Sequence, residues 1–140
     1  MNSMESAIII GGGASGLMAA LTASERPERT VLLLERQART GKKLLATGNG
    51  RCNLSNRRLS LAHYHGGQPE FARPALEAFD SGAATDYFRS LGLLTVTEAS
   101  GRVYPATDSA NSVADVLRLT LQQRPNVTLR TASEVIGLRR

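Results

Sequence analysis

The stretch Ala7-Ile8-Ile9-Ile10-Gly11-Gly12-Gly13-Ala14-Ser15-Gly16-Leu17 decides how this chain is read, because an apolar run breaks into glycines and an alanine- and leucine-rich segment follows at once. A second apolar run, Val31-Leu32-Leu33-Leu34, ends at Glu35. The pattern G-x-G-x-x-G alone matches many loops. Here it follows a buried-strand pattern, opens a helix pattern and is answered by an acid about 20 residues on, which makes it the signature of a dinucleotide site. The spacing predicts a strand over Ala7–Ile10, a helix from Ala14 to Ser24 and a strand over Thr30–Leu34. A polar turn, Glu25 to Arg29, joins helix to strand in a parallel, right-handed βαβ unit.

Each glycine has its own task. Gly11 makes the sharp turn, Gly13 leaves room for a diphosphate, and Gly16 lets the helix lie close on the strand. The helix start directs unpaired N–H groups and a partial positive charge at the same spot, so an anion is expected there. Glu35, at the C-terminal end of the second strand, suits the ribose hydroxyls of an adenosine. Its charge would repel a 2′-phosphate, which favours FAD or NAD over NADP.

At 140 residues and 41% apolar content the chain has the size and composition of one soluble domain. A complete dinucleotide-dependent enzyme also needs a substrate domain, and the sequence stops at Gly137-Leu138-Arg139-Arg140 while a strand pattern is running. The expectation is a fragment of a longer protein. No stretch approaches a membrane span, and Met1-Asn2-Ser3-Met4-Glu5-Ser6 lacks the features of a leader, so a cytoplasmic location is expected. With Cys52 as the only cysteine there is no internal disulfide, cysteine-based zinc site or CxxC redox pair.

The net charge of +5 is unevenly placed. From Arg36 to Pro69 there is no acid, while Arg36, Arg39, Lys42, Lys43, Arg51, Arg57 and Arg58 are basic. Such a block suits nucleic acid, a cofactor diphosphate, an anionic substrate or plain solvent. It lacks the interleaved aromatics of a single-strand binder and follows a dinucleotide motif, so nucleic acid is the less favoured partner.

Gly41 to Asn56, rich in glycine, asparagine and small residues, reads as backbone that wraps a ligand. Helices are expected over Glu70–Phe79 and Ala83–Leu91, the latter closing at Gly92. Leu93–Thr97 and Arg102–Tyr104 read as a hairpin around Ser100-Gly101. Ser112 is expected to cap a helix over Val113–Gln123, and Val127–Leu129 and Val135–Leu138 read as strands. Phe79, Tyr87 and Phe88 fall at helical spacings and read as core.

His63 and His65 lack a third metal ligand at suitable spacing and read as surface residues. Cys52 is either a thiolate activated by Arg51 or, the preferred reading, a small side chain packed beside a cofactor. Arg102 either faces a ligand or decorates a surface hairpin. No acid–base or nucleophilic set is recognisable, so no catalytic residue is named.

Three blocks together carry a family resemblance: Ile8 to Leu17 with Glu35; Gly41-Lys42-Lys43-Leu44-Leu45-Ala46-Thr47-Gly48-Asn49-Gly50-Arg51-Cys52-Asn53; and Gly101-Arg102-Val103-Tyr104-Pro105. The chain resembles the YhiN/BaiN-like, aminoacetone-oxidase-like FAD-dependent oxidoreductases over nearly its whole length. The resemblance implies an α/β, Rossmann-type FAD-binding domain of the two-dinucleotide-binding flavoprotein type, of which residues 1–140 form the N-terminal portion. The inserted substrate domain and the C-terminal closure over the flavin lie outside it. It implies that Ala14 and Ser15 approach the FAD diphosphate through their backbone, that Glu35 holds the ribose and that Arg36 flanks it. Lys43, Leu44, Asn49, Gly50, Arg51, Cys52 and Asn53 would line the diphosphate and flavin side, with Arg51 offsetting diphosphate charge. Val135 would offer backbone hydrogen bonds to adenine. The implied activity is hydride transfer between NAD(P)H or an organic small-molecule substrate and the flavin. An NAD-binding dehydrogenase, which has no need of the Gly41–Asn56 block, and an RNA-associated flavoprotein are the alternatives.

Overall fold

A computed structural model describes residues 6–139. β1 (Ser6–Ile10), α1 (Ala14–Ala23) and β2 (Thr30–Leu34) form the expected parallel unit, with Ile8 opposite Leu32. β2 is the centre of a three-stranded parallel sheet of order β1-β2-β6, where β6 spans Val127–Arg130. Between β2 and β6 run α2 (Arg73–Ala78), α3 (Ser81–Ser90) and α4 (Ala110–Gln122), together with a second, antiparallel sheet of order β3-β5-β4. Its strands are β3 (Ser55–Asn56), β4 (Thr95–Thr97) and β5 (Arg102–Pro105).

The core is the layer where α1 and α4 meet the parallel sheet. Leu17 and Leu21 of α1, Val31 and Leu33 of β2, and Val113, Leu117 and Leu121 of α4 are all buried there. In strands the side chains alternate, so the next residues face the other way. That opposite face is bare, with Ile8 66% and Ile10 53% exposed.

Asn126 ties the start of β6 to the α1–β2 turn. Its Nδ2 donates to the carbonyls of Ser24, Arg26 and Arg29 at 3.1, 3.1 and 2.9 Å.

Four expectations need correction. Residues 135–138 form no strand: Ile136 and Leu138 are 96% and 84% exposed. After β6, Ala132 takes a left-handed conformation (φ +49°), and the amides of Ala132 and Ser133 donate to the carbonyls of Gln37 and Glu35, which carries the chain off the sheet. α4 begins at Ala110, and its N-cap is Ser109, whose side chain accepts from the amide of Asn111; the hydroxyl of Ser112 bonds Thr107 instead. The helix expected over 70–79 is a 3₁₀ turn, Pro69–Ala72, followed by the short α2, since each proline suits only a first turn. Phe79 is not core: it is 43% exposed, although its ring meets Tyr87 edge-on at 6.1 Å.

Candidate functional site

The strand–helix junction is built by close backbone approach. Gly11 turns the chain at φ +98°, and a Cβ on Gly16 would lie 1.8 Å from the carbonyl oxygen of Gly11. Gly12 is equally confined, because a Cβ there would stand 2.6 Å from Cγ2 of Thr40 and 3.1 Å from the Glu35 side chain. At Gly13 the same test meets nothing within 4 Å. Gly13 is the N-cap of α1, no side chain caps this helix and no acid lies in its first turn. The first-turn N–H groups and the positive end of the helix dipole therefore face open space.

Glu35 stands beside this opening. Its Oε2 accepts from the Gly12 amide at 2.6 Å and its Oε1 from the Gln37 amide at 2.8 Å, so two backbone bonds orient the carboxylate. Each carboxylate oxygen has a second lone pair for a ligand hydroxyl.

From Gly13, Ala14 and Ser15 a cavity of about 770 Å³ extends between α1, the 43–55 segment and the 59–88 region. Its polar lining includes the α1 start, Lys43, Thr47 and Asn53; its far wall carries Leu59, Leu76, Phe79 and Phe88, with Asp80 and Ser81 among them. Of the residues singled out in the sequence, Gly13, Ala14, Ser15, Lys43, Leu44, Cys52 and Asn53 line it. Gly11, Gly16 and Glu35 form the junction behind the α1 start. Arg36 is exposed next to Glu35, and Gly50 is exposed at φ +84°. Val135 lies half-buried in irregular chain and lines no part of this cavity.

Asn49 and Arg51 face elsewhere. With Asn53, Glu98, Arg102 and Tyr104 they border a second depression of about 470 Å³. Arg51 donates from Nε to Asp108 and from Nη2 to Glu98 at 2.9 Å, and its guanidinium lies 3.9 Å from the Tyr104 ring centroid. Cys52 is 6% exposed, and burial pushes its thiol pKa up from the ordinary value; Arg51, engaged with two carboxylates, does not lower it. Cys52 is thus a small packed side chain. His63 is engaged locally, its Nδ1 bonding the amide and hydroxyl of Ser60 at 3.2 and 3.1 Å.

Sequence reasoning missed the far wall. Leu59 and Tyr64 lie in irregular chain and Leu76 in a short helix, so no period marked them as facing one space. Among the described residues, no helix is long and apolar enough to cross a membrane.

A parallel sheet with helices on one face, a glycine turn opening on a helix N-terminus and an acid at the end of the next strand define a dinucleotide-binding domain of Rossmann type. Residues 5–140 match the family described as the HI0933-like protein Rossmann domain. The chain belongs to that family. It is 45% identical over 132 residues to a 3-dehydro-bile acid delta(4,6)-reductase of Clostridium scindens, covering 94% of this chain and 32% of the relative. It is 33% identical over 132 residues to a ribosomal RNA dihydrouridine synthase of Escherichia coli, with the same 94% and 32% coverage. The chain thus spans about a third of the length of either relative. Among solved structures, the open conformation of a flavocytochrome c3 fumarate reductase superposes with a TM-score of 0.57 at 16% identity, over 99% of this chain and 28% of that one. This last likeness concerns the fold alone.

Proposed function

We propose that the chain is the N-terminal, FAD-binding portion of an oxidoreductase that reduces a carbon–carbon double bond conjugated to a carbonyl. The observation that carries the cofactor reading is the uncapped start of α1 at Gly13, open where a Cβ would stand, at the mouth of the 770 Å³ cavity. Bound FAD supplies the hydride chemistry. The backbone amides of Ala14 and Ser15 meet its diphosphate, with Lys43, which lines the same cavity, adding charge. Glu35, held by Gly12 and Gln37, accepts from the ribose hydroxyls. Leu44, Cys52 and Asn53 border the ring side, and Phe79 and Phe88 offer apolar surface in the same cavity. NAD(P)H is the proposed reductant. The remaining two-thirds of the length seen in relatives would supply the substrate domain and the closure over the ring.

The substrate class follows from the chemistry the relatives' names share. A 3-oxo bile acid unsaturated at carbons 4 and 6 and a uridine both hold a double bond conjugated to a carbonyl, so delivery of a hydride to the far carbon serves either. A small ketone is the first reading, supported by the 45% identity to the bile-acid reductase. RNA is the second, favoured by the 33% identity to the dihydrouridine synthase and by the acid-free stretch from Arg36 to Pro69.

The test is the visible spectrum of the complete gene product, followed by anaerobic reduction with NADH or NADPH. Reoxidation by a 4-ene-3-oxo steroid supports the first reading, and reoxidation by unmodified ribosomal RNA supports the second. A colourless protein that takes up no FAD overturns both.

A further inference from the structure

We propose that Arg51 is a positioning residue, which clamps the segment 47–53 onto the β4–β5 hairpin and thereby sets the cavity wall formed by Cys52 and Asn53; it is not a counter-charge for a diphosphate. The affinity part of this proposal rests on the FAD reading. The clamp itself does not.

The segment needs holding. Gly48, Asn49, Gly50 and Cys52 all adopt left-handed backbone, with φ of +54°, +54°, +84° and +59°. For Asn49 and Cys52 that conformation is unfavourable and persists only when the surroundings impose it. Locally the segment has few bonds of its own, the amides of Arg51 and Cys52 donating to the carbonyls of Gly48 and Thr47 at 3.1 and 3.0 Å. Beyond its C-terminal end the chain is tied to β5, where the Leu54 amide donates to the Val103 carbonyl at 2.8 Å; within the segment the longer-range side-chain restraint is Arg51. Glu98 directly follows β4 and Asp108 lies three residues beyond β5, so one guanidinium joins the loop to the chain before and after β5. Tyr104, 6% exposed, supplies the surface under it. A planar fork with fixed donor directions suits this double contact, and an ammonium does not.

Charge argues against the counter-charge role. Arg51 carries one positive charge against the two negative charges of Glu98 and Asp108. Arg102, which borders the same depression, brings the local sum only to zero. An anion gains nothing from such a cluster. Arg51 also does not line the cavity that opens at the α1 start, whereas its chain neighbours Cys52 and Asn53 do.

Two measurements on Arg51→Lys, Asp108→Asn and Glu98→Gln test the clamp. The first is hydrogen exchange of amides 48–53 in ligand-free protein, which needs no cofactor. Exchange about tenfold faster in Arg51→Lys and Asp108→Asn, with α1 and α4 unchanged, is the expected result. Unchanged exchange in all three variants overturns the clamp. The second compares dissociation constants for ADP, which carries the adenosine and diphosphate without the flavin, and FAD. FAD is expected to weaken about tenfold in Arg51→Lys and Asp108→Asn while ADP stays within about twofold. A general loss of folding would weaken both ligands and speed exchange throughout, which also counts against a local clamp. Full FAD affinity in Arg51→Lys, or tighter ADP binding in Asp108→Asn, would identify Arg51 as a counter-charge after all. Glu98→Gln, the mildest variant, keeps the shape of one contact and decides the matter if the other two do not fold. Should the unmodified protein bind no FAD, the cofactor reading fails and the exchange result still stands.

Discussion

At Gly16 a single methyl group has no place to go, since the carbonyl oxygen of Gly11 lies 1.8 Å and its carbon 3.0 Å from the position a Cβ would take. Relief requires moving backbone on the strand or the helix. Gly16→Ala is therefore expected to destabilise the fold by about 3 kcal/mol or more, read by urea denaturation. Gly13→Ala separates stability from binding. Its φ of −77° suits any residue and its Cβ would meet nothing, so stability should change by less than about 1 kcal/mol while FAD affinity falls. Equal losses of stability in both variants would contradict the proposed division of labour.

Cys52 has a pH signature. Burial raises its thiol pKa in the folded chain above the ordinary 9.0, so between the unfolded and folded pKa values the folded state holds more protons than the unfolded one. Stability from this group is complete below about pH 9 and falls as pH rises through the folded pKa, with a slope of at most about 1.4 kcal/mol per pH unit. Cys52→Ala should remove that alkaline decline. A denaturation series from pH 7 to 10 checks it, and an identical slope in the variant would show that another group is responsible.

At the scale of elements, the start of α4 distinguishes two serines three residues apart. Ser109 is the N-cap, and its replacement by alanine should cost about 1 kcal/mol. Ser112 already lies inside the helix, its hydroxyl on exposed Thr107, and Ser112→Ala should cost less than about 0.5 kcal/mol. The reverse order in thermal or urea unfolding would return the cap to Ser112. Sequence favoured Ser112 because the apolar period begins at Val113, whereas Ala110 and Asn111 carry no periodic signal. The same reasoning explains why β1, α1 and β2 were legible almost to the residue. Their period, glycines and caps act within a few positions of one another, and no distant partner competes. Residues 135–138 show the limit: Val-Ile-Gly-Leu has strand composition, but a strand needs an edge to pair with, and the left-handed turn at Ala132 leads the chain away from the one that β6 offers.

At the scale of the whole molecule, the parallel sheet is covered by α1 and α4 on one side and open on the other, where Ile8 and Ile10 lie exposed. An apolar, unpaired face of this kind associates with other apolar surface. The 140-residue chain is expected to self-associate as concentration rises in sedimentation, and Ile8→Thr with Ile10→Thr should restore the monomer. Because both side chains are more than half exposed, the fold itself should lose little stability. Concentration-independent sedimentation of the unmodified chain would show that the face is not adhesive.

The order strand, glycine turn, helix, strand and acid determined the βαβ unit, the α1 start and the place of Glu35, because each depends on backbone geometry and side-chain period over neighbouring residues. Only the tertiary structure decided what surrounds them. It turned Arg51 onto Glu98 and Asp108, residues 47 and 57 positions away, brought Leu59, Phe79 and Phe88 to the far wall of one cavity and laid β6 beside β2. Contacts at such separations depend on how the chain closes on itself in three dimensions, and local spacing carries no record of that.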